Sequence, residues 1–223
     1  MRYTNSNEVT RILLINTPRL TLDQLDSNAD RTNEYFEIYP PLGLMYLCSS
    51  VGKYTKGIKT KILDLHLESI KKSQENIDID WFEMCDEAIK SFQPDLCGIS
   101  IMFGLSFESA KSIGETIREK YPQMIIVSGG VHVTALAKEN SAELDFNDFI
   151  CLNEAENHFV DLIRYINGDT DCVKGVIVKN TKYLRNKDDI SNVLNTPDHI
   201  DEIPIPEFSA VELTDYFRYG NLS

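Results

Sequence analysis

Residues 125–135 read "IIVSGGVHVTA", an apolar run that stops on two adjacent glycines. Ser128, Gly129, Gly130, Val131, His132 and Thr134 crowd around that stop. Hydroxyls of this kind bind neutral polar groups, and glycine lets a ligand lie close against the backbone. Glycine pairs also end strands simply to turn the chain, and on its own this pair reads that way. Ser100 ends a second such run, "DLCGISIM", with Phe103 three residues on. Asn153 and Glu156 in "NEAE" have the spacing of a helix N-cap pair. The five cysteines (48, 85, 97, 151, 172) form no CxxC or tighter cluster. Zinc or iron–sulfur chemistry of the usual kind therefore has no ligand set here. Cys97 and Cys151 read as small buried hydrophobes, and this cysteine usage fits a reducing cytoplasm.

Composition narrows the partners. Twenty-two basic against thirty-five acidic residues give a net charge of −13. That field repels phosphate backbones and anionic lipid, so neither nucleic acid nor a membrane surface is expected. No apolar run approaches the roughly 18 residues of a membrane span, and "MRYTNSNEVT" is no signal peptide. With 223 residues, 42% of them apolar, the chain can bury one full core and carry some extra structure.

The elements that must position these residues alternate along the chain. "RILLIN" (11–16), "KTKILDL" (59–65), "DLCGISIM" (95–102), "QMIIVSGG" (123–130) and "DFICL" (148–152) read as strands. Helices are predicted from Pro41 through Gly52 or Gly57, over 81–92 before Pro94, from Ser106, over 134–144, and from Glu154 to Gly168. In the helix over 81–92, Trp81, Phe82, Cys85, Ala88, Ile89 and Phe92 should face inward. Residues 17–39 are polar, irregular and too long for a plain connector. Strands apolar on both faces, alternating with helices, predict an α/β fold. Its doubly wound parallel sheet has five strands in the flavodoxin-like, Rossmannoid order 2-1-3-4-5. It should occupy residues 1–170. Residues 171–223 form a C-terminal extension in which "GVIVKN" could be a strand and the rest an extended linker.

Ligands of such sheets bind outside the carboxyl ends of the strands. There the sequence sets Asn16 and Thr17, Asp64 to His66, Ser100 to Gly104, Ser128 to Thr134, and Leu152 to Glu156. The turn after the first strand, "NTPRL", has neither dinucleotide-binding glycines nor a phosphate cradle. What remains is small and weakly polar, which suits a flat or deeply inserted ligand.

Taken in order, "RILLIN", "YPPLGLMYLCS", "LDLH", "PDLCGISIM", "IVSGGVHVT" and "DEIPIP" resemble the N-terminal cobalamin-binding domain of cobalamin-dependent radical SAM enzymes. The resemblance spans about residues 10 to 208. It implies a corrin across the strand ends and a nucleotide tail inserted beside the sheet, near Ser100 and the glycines 129 and 130. A branched side chain at either glycine would then block the tail. The implied contacts are Asn16, Thr17, Ser100, Phe103, Ser128, Gly129, Gly130, Val131, His132, Thr134 and Glu154, with Pro41, Leu42 and Gly43 on the upper rim. The implied role is to hold the cofactor for methyl transfer, with no catalytic residue in this chain. "NEAE" departs from the family's "GEGE". No cysteine follows Cys172, so the iron–sulfur cluster and S-adenosylmethionine belong to a radical SAM domain beyond residue 223 or on another polypeptide. Asp64 and His66 imitate an aspartate–histidine pair that orients an axial imidazole, but they follow the second strand rather than the first. His66 is therefore read as a structural loop residue, and cobalamin is expected base-off with no histidine on cobalt. Two rivals stay open: a free-standing corrinoid carrier or sensor, and a flavodoxin-like flavin binder.

Overall fold

Five strands run parallel: β1 (Arg11–Asn16), β2 (Lys59–Asp64), β3 (Leu96–Ser100), β4 (Ile125–Gly129) and β5 (Phe149–Cys151). A sixth, β6 (Val176–Val178), pairs antiparallel with β5, so the sheet order is β2-β1-β3-β4-β5-β6. The structure is a computed structural model and describes residues 8–19, 38–139, 141–171, 173–178 and 200–220. The irregular stretch expected at 17–39 mostly lies outside the described residues. The predicted five-stranded order holds, with one edge strand added from "GVIVKN". That strand begins where β5 ends, the Leu152 amide donating to the Gly175 carbonyl (2.8 Å), and so it runs the other way.

Alternation along each strand separates two cores. Leu13, Ile15, Cys97, Ile99, Ile126 and Ile150 pack on one face. There they meet α2 (Leu65–Gln74), α3 (Trp81–Phe92), α4 (Phe107–Lys120), α5 (Val131–Glu139) and α7 (Leu213–Tyr219). Ile12, Leu14, Leu96, Ile125, Val127, Phe149 and Cys151 pack on the other, under α1 (Leu42–Tyr54) and α6 (Ala155–Ile166).

Helical spacing in the sequence puts Phe107, Ala110, Ile113, Gly114 and Ile117 on one face of α4 and Phe159, Leu162, Ile163 and Ile166 on one face of α6. These are buried, and Gly168, with φ +82°, follows the end of α6. In α3 the buried set is Trp81, Met84, Cys85, Ala88 and Ile89, whereas Phe82, predicted inward, is 37% exposed. Two elements differ more. α5 starts directly at Val131 and stops at Glu139, and a separate 3-10 turn covers Ser141–Leu144. α2 was not predicted at all. Its polar side chains ("ESIKKSQ") mask a short buried stripe of Leu65, Leu67 and Ile70, and no turn residue separates it from β2. The cap is Asp64, whose Oδ1 accepts from the His66 and Leu67 amides, both at 3.1 Å. His66 is thus a buried first-turn residue, not a loop residue.

The tail, expected to be an extended linker, turns back in its described part. The Glu207 amide donates to the Met45 carbonyl (3.1 Å), and Lys53 and Tyr54 donate to the Glu202 carbonyl. α7 then docks on α2, with Tyr216 only 1% exposed and its hydroxyl donating to Asp64 Oδ2 (2.9 Å). Among the described residues no helix is long and apolar enough to cross a membrane.

Candidate functional site

On the face covered by α1 and α6, β3 presents Leu96, Gly98 and Ser100, and β4 presents Ile125, Val127 and Gly129. Register sets Gly98 beside Val127 and Ser100 beside Gly129. The lower half of this face is filled by branched side chains. The upper half, at the carboxyl ends, has almost none. The result is a cavity of ≈ 310 Å³ walled by Leu14, Leu47, Val127, Cys151 and Phe159. Gly98 makes room for its neighbour, because a Cβ there would stand 2.7 Å from a Leu14 methyl.

The two glycines after β4 do different things. A Cβ at Gly129 would meet nothing closer than Cys151 Cβ at 3.6 Å, so its missing side chain is free space. Gly130 has φ +114°, and a Cβ there would lie 2.5 Å from the Ile101 carbonyl oxygen. Backbone geometry alone demands glycine at 130. The expectation that both glycines make ligand space therefore holds geometrically only for Gly129; Gly130 turns the chain into α5.

Above this slot lies a second cavity of ≈ 230 Å³, lined by Asn16, Thr17, Arg19, Pro41, Phe103 and Ser106 among others. Gly43, Leu44, Ser100 and Met102 line both, so slot and upper cavity meet. The rim exposes Tyr39, Leu42, Met102, Phe103, Leu105 and Val131, an apolar platform open to solvent. Thr17 ties the first strand end to the third, its hydroxyl donating to the Ser100 carbonyl (2.8 Å). Asn16 Nδ2 donates to Asp64 Oδ1 (2.9 Å), and the Arg19 guanidinium stands 5.0 Å from the centre of the Phe103 ring. Burial pushes the Asp64 carboxyl above its ordinary range, opposed by donors from Asn16, Leu67, Tyr216 and His66.

Of the residues singled out from sequence, Ser100, Gly129, Gly130, Val131, Thr134 and Glu154 line the slot. Asn16, Thr17 and Phe103 line the upper cavity. Ser128 and His132 line neither. Ser128 is one residue out of phase with Gly129, so it points to the opposite face and donates to Asn147 Oδ1 (2.7 Å). The early start of α5 turns His132 away, with its ring 5.5 Å from that of Phe107. The sequence reading missed Gly98, and held Met102 only as part of the strand-end stretch from Ser100 to Gly104. A two-residue step back from Ser100 would have found Gly98.

"NEAE" also differs from expectation. No Asn153–Glu156 cap pair forms, since the cap of α6 is Glu154 and makes no side-chain cap bond. Asn153 instead sits at φ +55° and donates its amide to Thr134 Oγ1 (2.9 Å). Glu156 lines the slot, and its Oε2 is buried with no hydrogen-bond partner among the described residues. Burial raises its pKa, a hydrogen bond from its own backbone amide opposes the rise, Glu154 adds to it, and His158 opposes it.

A family model for the B12 binding domain matches residues 31–163, more than half of the chain. The chain belongs to the B12-binding domain family. It is 28% identical over 145 residues to a cytidylyl-2-hydroxyethylphosphonate methyltransferase of Streptomyces wedmorensis, covering 61% of this chain and 27% of that protein. Its fold is similar to that of the cobalamin-dependent S-adenosylmethionine radical enzyme OxsB, solved with aqua-cobalamin bound. The TM-score is 0.65 at 19% identity, over 95% of this chain and 26% of that one. The chain thus spans about a quarter of the length of these two relatives.

The residues present fit a corrinoid. A narrow slot floored by Gly98 and Gly129 can take an inserted arm, and the apolar platform above it can take a macrocycle. Among the described residues no histidine lines either cavity. His66 Nδ1 accepts from the Arg19 amide at 3.4 Å, and His158 lies 3.3 Å from the Leu152 carbonyl; His199 is outside the described residues.

Proposed function

We propose that this chain binds cobalamin and presents it to a radical SAM domain, in cis or in trans, for methyl transfer. One observation carries the reading: Gly98, Ser100 and Gly129 adjoin on a single face and open a slot between α1 and α6. Leu14, Val127 and Phe159 would wall the nucleotide tail, while Met102, Phe103 and Leu42 would support the corrin. Ser100 and Glu154 would supply polar contacts at the mouth, where Thr134 lines the wall with its hydroxyl already bonded to the Gly130 carbonyl and the Asn153 amide. Cobalamin, when bound, supplies a cobalt centre that carries a methyl group. The chain's own part is to bind the corrinoid, orient it and exclude water from its lower face.

We further propose that the cofactor binds base-off with no protein histidine on cobalt. The support is that His66, buried at the start of α2, and His132, packed on Phe107, line neither cavity. The extension, 171–223, carries β6 and α7 onto the body formed by residues 1–170 and leads on toward the partner. The iron–sulfur cluster and S-adenosylmethionine would belong to that partner. The setting is proposed to be cytoplasmic, in line with the free buried thiols of Cys48, Cys85, Cys97 and Cys151.

A flavin mononucleotide is the weaker occupant. Its phosphate needs a cradle, whereas Glu154 and Glu156 are the charged residues that line the slot. The test is reconstitution with hydroxocobalamin, gel filtration, and the absorption spectrum of the retained material. One corrin per chain is expected, and its cobalt(II) form should show no nitrogen superhyperfine splitting by electron paramagnetic resonance. Retention of flavin but not cobalamin would overturn the reading. A nitrogen-split spectrum that vanishes in His66→Ala or His132→Ala would overturn the absence of an axial histidine.

A further inference from the structure

We infer that Glu156 is the polar anchor of the slot, accepting a hydrogen bond from a hydroxyl on the arm of the cofactor that enters it. The inference rests on the cobalamin reading above. Glu156 Oε2 is buried, lines the slot, and has no partner among the described residues. A buried polar oxygen left without a donor costs about 1–3 kcal/mol, so a residue kept in that state points to a donor from a ligand. The carboxylate takes a hydrogen bond from Glu156's own amide in the first turn of α6, and Oε2 is still left without a partner among the described residues. The expected cap with Asn153 does not form, Glu154 occupies the cap position, and the Asn153 amide is already held by Thr134.

The chemistry of the donor follows from the lining. Leu14, Leu47, Val127, Cys151 and Phe159 offer nothing polar, and no basic residue lines the slot. An anionic group placed directly against this carboxyl would face Glu154 and Glu156 uncompensated, so Glu156 does not meet the phosphate of the arm. The partner is therefore a neutral O–H or N–H. Glu156 precedes Phe159 by about one turn, on the first turn of α6, which sets its carboxyl in the mouth half of the slot. That level meets the segment of an inserted arm between macrocycle and base, where a nucleotide carries its sugar hydroxyls. The other source of neutral donors is the amide fringe of the corrin itself, and the ligands chosen below separate the two.

The experiment is equilibrium binding of cobalamin and of cobinamide, which keeps the corrin amides and lacks the nucleotide arm. Wild type, Glu156→Leu and Glu156→Gln are compared, together with thermal melting of each protein without ligand. Glu156→Leu should weaken cobalamin binding about tenfold, the loss of one hydrogen bond to a charged acceptor. Cobinamide affinity should not change. Glu156→Gln, which keeps a carbonyl acceptor, should stay within about threefold of wild type. The ligand-free Glu156→Leu protein should melt no lower than wild type. Unchanged cobalamin affinity in Glu156→Leu would overturn the inference, as would an equal loss for both ligands. A lower melting temperature without ligand would return Glu156 to a structural role. Wild-type protein that binds neither ligand would overturn the cobalamin reading and this inference with it, a result distinct from failure at Glu156 alone.

Discussion

The two faces of the sheet are built from the same strands and finished in opposite ways. Among the described residues, α2, α3, α4, α5 and α7 close one face, whereas only α1 and α6 cover the other. On the closed face the buried polar groups have partners. Trp81 Nε1 donates to Ser69 Oγ (2.8 Å), Ser128 meets Asn147, and Asp64 receives four donors. On the open face, the buried oxygens without a partner are Ser50 Oγ on α1 and Glu156 Oε2 on α6. A strand alternates its side chains, so one chain can give stability to one face and binding space to the other. Ser128 and Gly129 are adjacent, yet one is sealed in the core and the other opens the slot.

The largest expected effect tests the closed face. Tyr216→Ala removes a buried ring and strips Asp64 of a donor, so urea unfolding should register a loss of about 3–5 kcal/mol. A loss under about 1 kcal/mol would show that α7 is a loose appendage and that the two faces are less unequal than drawn.

The next test separates neighbours on the open face. Gly129→Leu fills the slot, so cobalamin affinity should fall at least about 100-fold, or roughly 2.7 kcal/mol, in a titration followed by corrin absorbance. Its unfolding free energy should stay within about 1 kcal/mol of wild type, because the new side chain enters open space. Gly130→Ala should instead destabilise the fold by about 1–3 kcal/mol through strain at a positive φ. If the two variants behave alike, the division of labour between the glycines is wrong.

The smallest effect is a slope with pH. Burial raises the Asp64 pKa in the folded protein, so the folded state holds this proton more tightly than the unfolded chain. Its contribution favours folding at low pH and declines as pH rises from about 4, the unfolded value, through the raised folded value. Relative to Asp64→Asn, wild-type stability should therefore fall between pH 4 and pH 7, measured by urea unfolding at each pH. A difference that grows with pH instead would mean the four donors outweigh burial.

Much of this fold was legible because hydrophobic period is local. The runs ending at Asn16, Ser100 and Gly129 announced strands, and Phe107, Ala110, Ile113 and Ile117 announced the face of α4. α2 was not legible, because its apolar stripe is short and the ring that packs on it, Tyr216, lies 152 residues from its cap, Asp64. Site residues at strand ends were legible as a set. Their facing was not read for Ser128 and His132, which fell to the wrong face and to the wrong side of a helix.

The sequence by itself determined the strand–helix alternation, the parallel sheet, and the carboxyl edge at which the two cavities lie, since periodicity and turn chemistry act within a few residues. Only the tertiary structure decided which glycine makes space and which makes a turn. The same holds for how "NEAE" acts: it leaves Glu156 Oε2 in the slot without a partner among the described residues, rather than pairing Glu156 with Asn153 in a cap. Those outcomes depend on what lies across the gap. Gly130 meets the Ile101 carbonyl, Gly129 meets open space beside Cys151, and Asn153 finds Thr134, contacts that no spacing along one strand encodes.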